Sequence, residues 1–525
     1  MCTRLTLQDY FLLSAFCFVL FGYAMIGGAP LSLHSARLPE CAREMLMNHD
    51  WLVPRSGGRP WLERPPLPHW ITIAISVVLG QRCDSVWIVR LPAALMGVAI
   101  VIMTAWLGAV TLGRSIGLCG AYALATAYEL RRYATLSEDD IFLAALVVAA
   151  IALFVRYEFV EPDSVDKRSS VFGSRPPALL GFFAITGLTN LAKGPLVGAA
   201  VILSPIALYL AWNFDPSRIR RYLWLWGCLL FIALTLFWPY YIYRRYPATM
   251  HNWSFDYSET DQYDQPWWYY LVQLPGVFLP WSPFALYGLW KITRPAIQRP
   301  RSFERFLLCW AIVPIVILSI PHRKHHHYLV PSLAPWGILA GIGIIAFGNW
   351  LLAKMKWQSG PVVFGSVLGA LLVGYCVGES LIPDATRPDT AFLQQVEQTV
   401  PRDHLLVINS DLNGEMDFFR NQFYIRSDAR LLHNLTFLRD QNLKAADVYV
   451  ITRASDEIKL ETMGRVEMVL QSAKTRRERS AADRFTLFHL VFRPDLQRYP
   501  APAPDQITTM QAMDRAPGPW CGPPL

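Results

Sequence analysis

LHSARLPECAREMLMNHDWLVPRSGGRPWLERPPLPHW, Leu33–Trp70, is the stretch on which the reading of this chain turns. It follows the first long apolar run, gathers acids, bases and histidines, and leads through prolines back into apolar sequence. A polar segment so placed is either the floor of a site at a membrane surface or a long loop. The rest of the chain decides between them.

The 525 residues are 53% hydrophobic and 13% aromatic but only 17% charged, with a mean hydropathy of +0.27. Soluble domains carry about a quarter charged residues, so this balance points to a membrane protein. The formal charge of +8 is scattered between apolar runs, which fits membrane-flanking loops and not a nucleic-acid-binding patch. Most of the nine cysteines, such as Cys17, Cys119, Cys228, Cys309 and Cys376, stand singly in apolar sequence. With no CxxC spacing, neither a disulfide framework nor a structural zinc site is indicated. The first apolar run is long and lacks a convincing small-residue cleavage site before Leu31, so it reads as an uncleaved signal anchor.

A helix needs about 20 apolar residues to span the hydrocarbon core. Runs of that kind fall near 10–28, 89–112, 115–134, 140–157, 177–191, 196–213, 222–240, 269–289, 305–320, 326–349 and 360–382. The short run 67–81 is either a span or a helix lying in the interface. With the N-terminus cytoplasmic and 67–81 not crossing, Arg114, Lys167 with Arg168, Arg218–Arg221, Lys291–Arg305 and Lys354 with Lys356 all fall inside. That pattern obeys the positive-inside rule. The sequence therefore predicts a mainly α polytopic bundle of about 11–13 transmembrane helices over 1–382, with 29–88 as a long external loop containing amphipathic helices. Residues 383–500 turn polar, with strand-like runs at 404–410, 447–452 and 485–492 and helical material at 390–400. They predict a small periplasmic α/β domain. The proline-rich tail 501–525 reads as disordered.

The same topology gathers five polar stretches on the external face: Leu33–Trp70, Arg131–Asp140, Lys193-Gly194-Pro195, Arg244–Trp268 and His322–Tyr328. Ser137-Glu138-Asp139-Asp140 precedes an apolar run. Ser137 would cap a helix whose first turn suits the acids, or a carboxylate there serves as general base or cation site. Lys193-Gly194-Pro195 is either a helix-breaking turn or a lysine placed to hold a phosphate. In His322-Arg323-Lys324-His325-His326-His327-Tyr328, adjacent histidines diverge, so the run itself implies no three-histidine metal site. Its clustered cations suit a lipid phosphate. Trp267 and Trp268, in PWWYY, belong to an interfacial aromatic belt or to a platform on which a sugar stacks. A divalent metal is an open cofactor, with Glu63, His251 and His325 as candidate ligands.

Taken in order, these stretches resemble the integral-membrane GT-C glycosyltransferases, and most closely the protein O-mannosyltransferase and lipid A aminoarabinose transferase group. ECAREMLMNHDWLVP and WLERPPLPHW are similar to that group's first external loop. LSEDDIFLAAL resembles its second acidic motif, LAKGPLV its Lys-Gly-Pro turn, QPWWYYL its aromatic loop and RKHHHYLVPSLAP its late Lys-Tyr-Leu-Pro stretch. The match runs over roughly residues 5–350. It implies transfer of a sugar from a polyprenyl-phosphate carrier to a lipid, glycan or protein acceptor outside the plasma membrane, with membrane lipids as surroundings and no nucleic-acid partner.

Carried over residue by residue, the resemblance makes Asp140, with Asp139, the acid of the second motif. Arg64 stands at the usual carrier-phosphate lysine, Glu63 at the acid before it, and Arg37 and Glu40 in the first amphipathic helix. Lys193, Arg323, Lys324 and Tyr328 are the remaining phosphate candidates. Where the family opens its loop with an Asp-Glu pair, this chain has His34 and Ser35. Either His34 is the base, or Asp139, Asp140 or Glu40 substitutes, or the usual chemistry is lost. The rival readings are a catalytically inactive GT-C-like scaffold and a polyprenol-lipid flippase or transporter.

Overall fold

The computed structural model describes residues 4–27, 30–32, 34–56, 59–160, 177–194, 196–214, 216–247, 264–355, 360–381, 387–409, 423–425, 429–432, 435, 438, 447–473 and 484–493. Their contacts divide the chain into two compact units. The first is Met1–Gly28, Glu63–Ile71 and Val89–Leu381; the second is Ala29–Leu62, Thr72–Ile88 and Ile382–Leu525. Most of the first loop thus groups with the C-terminal region.

Helices α1 (Leu7–Gly27), α2 (Arg37–Asn48), α3 (Leu67–Val78) and α4 (Val86–Leu112) open the chain, with a two-residue ladder between β1 (Arg55–Ser56) and β2 (Arg59–Pro60). Next come α5 (Arg114–Thr126), the short α6 (Tyr128–Tyr133), and α7 (Asp139–Val155), which a π turn prolongs over Arg156–Val160. Then follow α8 (Pro177–Lys193), α9 (Val197–Trp212), α10 (Pro216–Tyr222), α11 (Leu225–Arg245), α12 (Tyr269–Val277), α13 (Ser282–Gln298) and α14 (Phe303–Ser319). A 3-10 turn, His326–Ser332, leads into α15 (Leu333–Met355), and α16 (Gly360–Leu381) closes the helical part.

Among the described residues six helices are long and apolar enough to cross a membrane. Helices α8 and α14, at 17 residues each, reach the lower end of what a span requires. Two expected spans are broken. The run 115–134 divides at Ala127, whose backbone is extended at φ −65°, ψ 136°. Thr126 there accepts the Trp281 indole N–H on its hydroxyl at 2.7 Å and the Tyr375 hydroxyl on its carbonyl at 2.7 Å. The run 269–289 divides between Val277 and Ser282. Both breaks lie where side chains from other helices serve the freed backbone or where turns take over, which hydropathy alone does not register.

In the first unit, α13 and α5 both pack on α15. Glycine permits these approaches: a Cβ at Gly288 would meet the Leu339 carbonyl oxygen at 1.9 Å, and one at Gly341 the Ile116 oxygen at 2.3 Å. Helix α7 lies against α8, α8 against α11, and α9 against α14. Buried rings such as Phe154 and Phe306, 4.9 Å apart, fill the space where these helices meet.

In the second unit, β3 (Leu406–Asn409), β4 (Arg430–Leu432), β5 (Asp447–Arg453), β6 (Gly464–Gln471) and β7 (Phe485–Phe492) form a mixed sheet of order β4-β3-β5-β7-β6. β3 runs parallel to β4 and β5, while β7 is antiparallel to β5 and β6. Period-two alternation buries both faces. Leu406, Ile408 and Ile451 pack with Phe392 and Val396 of α17 (Arg387–Thr399). Val407, Val448 and Val450 pack with Leu460 of α18 (Glu457–Glu461). The strand and helix runs expected in this region appear at the expected places.

Candidate functional site

The site grows from the head of α7. The N-cap position is held by Glu138 in extended conformation, with no side-chain cap; the expected Ser137 cap is not formed, and the buried Ser137 hydroxyl has no hydrogen-bond partner among the described residues. Asp139 and Asp140 occupy the first turn, where the helix dipole favours them. Each is matched by a cation from another element. Lys193, the last residue of α8, forms a tight ion pair with Asp140. Arg64, in the bend before α3, places Nε 3.5 Å from Asp139 Oδ2.

Local backbone aims the lysine. Gly194 has φ +107° and Leu196 φ +70°, so the chain reverses sharply after α8 in a conformation that glycine tolerates. The buried Asn190 side chain fixes the reversal: its Oδ1 accepts the Leu196 N–H at 2.7 Å, and its Nδ2 donates to Thr235 Oγ1 at 2.8 Å. Lys193 Nζ also lies 4.4 Å from the centre of the Tyr328 ring, a cation–π contact. Tyr328 stands edge-on to His327 at 4.8 Å, His327 rests against Tyr133 at 5.8 Å, and His325 stacks on His327 at 5.1 Å.

Charges crowd this end of the helix. Burial works to lower the Arg64 pKa, but Asp139, Glu63, Tyr328 and Asp140 outweigh it and hold the guanidinium above its ordinary value. Removal from water, reinforced by Asp140, pushes the Glu138 carboxyl up to about 7 against the pull of Arg132. Burial lowers Lys324, with Asp264 opposing.

The remaining sequence candidates are spread more widely. Lys324 is buried and donates to the Gln265 carbonyl at 2.8 Å, so it staples its loop to the segment before α12. Arg323 is half-buried and pairs through its backbone with Asp264. Trp267 and Trp268 are largely exposed, as either a membrane belt or a platform requires. Glu63 is exposed, His251 lies outside the described residues, and no three His, Cys, Asp or Glu among the described residues could share a metal ion.

His34, Arg37 and Glu40 belong to the second unit. His34 is exposed in the turn before α2, Arg37 is half-buried, and Glu40 is wholly buried with Arg43 Nη2 2.7 Å from its Oε2. Burial pushes Glu40 up to about 7 even though Arg43 pulls it down. Arg43 in turn donates to the Phe423 and Ile425 carbonyls, each at 3.3 Å. The sequence reading missed Asn190 and Glu129, and it named Glu138 and His326 only as members of their runs. Glu129 is buried and lies 2.6 Å from His326 Nδ1; a lone acid in the run YELRRY, 197 residues away, gave no sign of that partner.

The helical unit has the fold of the GT-C membrane glycosyltransferases. The chain superposes on ArnT from Cupriavidus metallidurans in the apo state with a TM-score of 0.72 and 18% identity, covering 93% of this chain and 99% of that one. The same protein bound to undecaprenyl phosphate gives 0.71. The Archaeoglobus fulgidus oligosaccharyltransferase in the apo form gives 0.52 at 11% identity, over 86% of this chain and 70% of that one. In sequence the chain is similar to the undecaprenyl phosphate-alpha-4-amino-4-deoxy-L-arabinose arabinosyl transferase of Erwinia tasmaniensis, 29% identical over 388 residues, 68% of this chain and 64% of the relative. The enzyme of that name from Shewanella sediminis is 27% identical over 326 residues, 60% of this chain and 56% of the relative. The chain thus spans less than two thirds of either relative's length. No family model matches it.

Proposed function

We propose that this protein is a membrane glycosyltransferase that moves a sugar from a polyprenyl-phosphate carrier to a lipid, glycan or protein acceptor by inverting displacement. The observation that carries the reading is the head of α7, where consecutive acids hold Lys193 and Arg64 beside the Tyr328 ring. A phosphate entering there accepts from the donors that Lys193 and Arg64 do not give to the acids, and both cations stabilise it as it leaves the sugar. Asp139 and Asp140 are committed to those cations, so their role here is to hold Arg64 and Lys193 in place. Arg323 and the Tyr328 hydroxyl serve the same phosphate, and Trp267 and Trp268 the bilayer or the sugar. The likeness to aminoarabinosyl transferases supports an undecaprenyl carrier.

In this reading the protein lies in the inner membrane with its N-terminus cytoplasmic. The site and the C-terminal domain face the periplasm. Loop charge supports that orientation, since Arg114 and the Arg218–Arg221 group fall on the other side from Lys193. A scaffold without activity is favoured by one feature, His34 where the resemblance implies an acid.

The test is transfer from undecaprenyl-phosphate aminoarabinose to lipid A by the purified protein in detergent. Wild type transfers; Asp140→Asn and Lys193→Ala do not. Full activity in both variants breaks the site assignment, and a silent wild type with every polyprenyl-phosphate sugar offered leaves the scaffold.

A further inference from the structure

The paired acids at the head of α7 leave open where the acceptor's proton goes. In His325-His326-His327 the first and third rings stack, while the middle ring turns away from them and sits on a carboxylate outside that cluster. His326 Nδ1 lies 2.6 Å from Glu129 Oε1. A carboxylate can only accept, so Nδ1 carries the hydrogen and Nε2 keeps its lone pair. The Glu129 side chain is 1% exposed and the imidazole 40%, so the acid is sealed and the base is within reach of solvent. Glu129 Oε2 has no hydrogen-bond partner among the described residues. The enclosed carboxylate therefore fixes the orientation and the tautomer of the imidazole.

The dyad is joined to the phosphate cations through packed rings. His326 and His327 are 5.6 Å apart by ring centre, His327 and Tyr328 4.8 Å, and Lys193 Nζ sits 4.4 Å over Tyr328. The titratable groups that face His326 are Glu129 from α6, Tyr269 from α12, and His325 and His327 from its own segment.

We propose that His326, oriented by Glu129, is the general base that deprotonates the acceptor hydroxyl. The assignment rests on the transfer reading above and names the proton's destination within it. The acceptor oxygen forms its bond to the anomeric carbon as the bond from that carbon to the phosphate oxygen breaks, and the electron pair leaves with the polyprenyl phosphate. The acceptor's proton passes to His326 Nε2, and Glu129 balances the charge until water removes it. A base supplied from this segment relieves position 34 of the need for an acid.

The experiment is a pH–rate profile of the full-length protein with undecaprenyl-phosphate aminoarabinose and lipid A. His326→Gln is expected to lower kcat by about 10²–10³-fold and to lose the acidic limb, with donor KM held within about threefold. Added imidazole restores part of the rate to His326→Gly. Glu129→Gln displaces the limb, and Glu129→Asp displaces it less. Wild-type rates in His326→Gln overturn the assignment, as does loss of the limb in His34→Ala with His326→Gln unaffected. A wild type that transfers nothing from any polyprenyl-phosphate sugar offered overturns the transfer reading and this base with it, and that failure shows before any variant is made.

Discussion

Helix α7 carries a buried acid at each end, and the two ends differ in kind. At its far end Glu158, in the π turn, pairs with Arg218 on one oxygen and accepts the Tyr222 hydroxyl on the other at 2.9 Å. Rings enclose it: Tyr222 packs on Phe154 at 5.8 Å and on Tyr157 at 5.7 Å. At the near end Asp139 and Asp140 hold Arg64 and Lys193, with Glu138, His327 and Tyr328 pressing on the same space. The backbone around them is irregular, with left-handed residues after α8 and a 3-10 turn before α15. An acid–cation pair at the end of an apolar helix is therefore no mark of function. Several titratable groups crowded onto an irregular backbone make the near end the better candidate to receive a ligand's charge.

The largest expected contrast comes from breaking each pair. Asp140→Asn is expected to lower kcat by about 10²–10³-fold, and because Lys193 loses a buried partner it lowers the melting temperature as well. Glu158→Ala should cost ~3–5 kcal/mol of stability because Arg218 loses its buried partner, but keep the rate per folded molecule. Thermal unfolding and transfer assays on the same preparations check both. Equal loss of activity in the two variants would erase the distinction.

Gly194→Val probes the backbone that aims Lys193. A β-branched residue at φ +107° is strained by ~1–3 kcal/mol, and transfer is expected to fall about tenfold as the ammonium moves off the Tyr328 ring. Next in size is a pH effect. Glu138 has a folded pKa of about 7, raised from 4.5, so its contribution to stability is full below about pH 4.5 and is lost as pH rises through about 7. Glu138→Gln should flatten that part of the melting-temperature profile by about 2–4 °C. The smallest effect is expected at Trp267, 70% exposed. Trp267→Ala should alter transfer by less than about threefold if the ring belongs to the membrane belt; a larger loss makes it a sugar platform.

How much of this was legible in the sequence follows from range. Asp139, Asp140, Lys193 and Tyr328 could be named because each interrupts an apolar run at a helix end, where charge is costly and its presence informative. Their pairings could not, since Lys193 and Asp140 are 53 residues apart and no local rule joins them. Lys324 looked like a phosphate ligand until its ammonium proved to be spent on backbone carbonyls. Glu40 looked available in an amphipathic helix but is wholly buried. The strands of the second unit were plain because alternation is a local signal, whereas the break at Ala127 depends on Trp281 and Tyr375 from distant helices.

The central claim, that Lys193 and Arg64 are placed to hold a lipid phosphate, is tested most directly by binding. Undecaprenyl phosphate titrated into wild type, Lys193→Ala, Arg64→Ala and Glu158→Ala compares the two ends of α7 without any acceptor or turnover. Each charge-assisted bond contributes ~1.5–3 kcal/mol, or roughly 10–100-fold in affinity. Lys193→Ala and Arg64→Ala should weaken binding by that factor, and folded Glu158→Ala should bind as wild type does. Unchanged affinity in both cation variants would contradict the account.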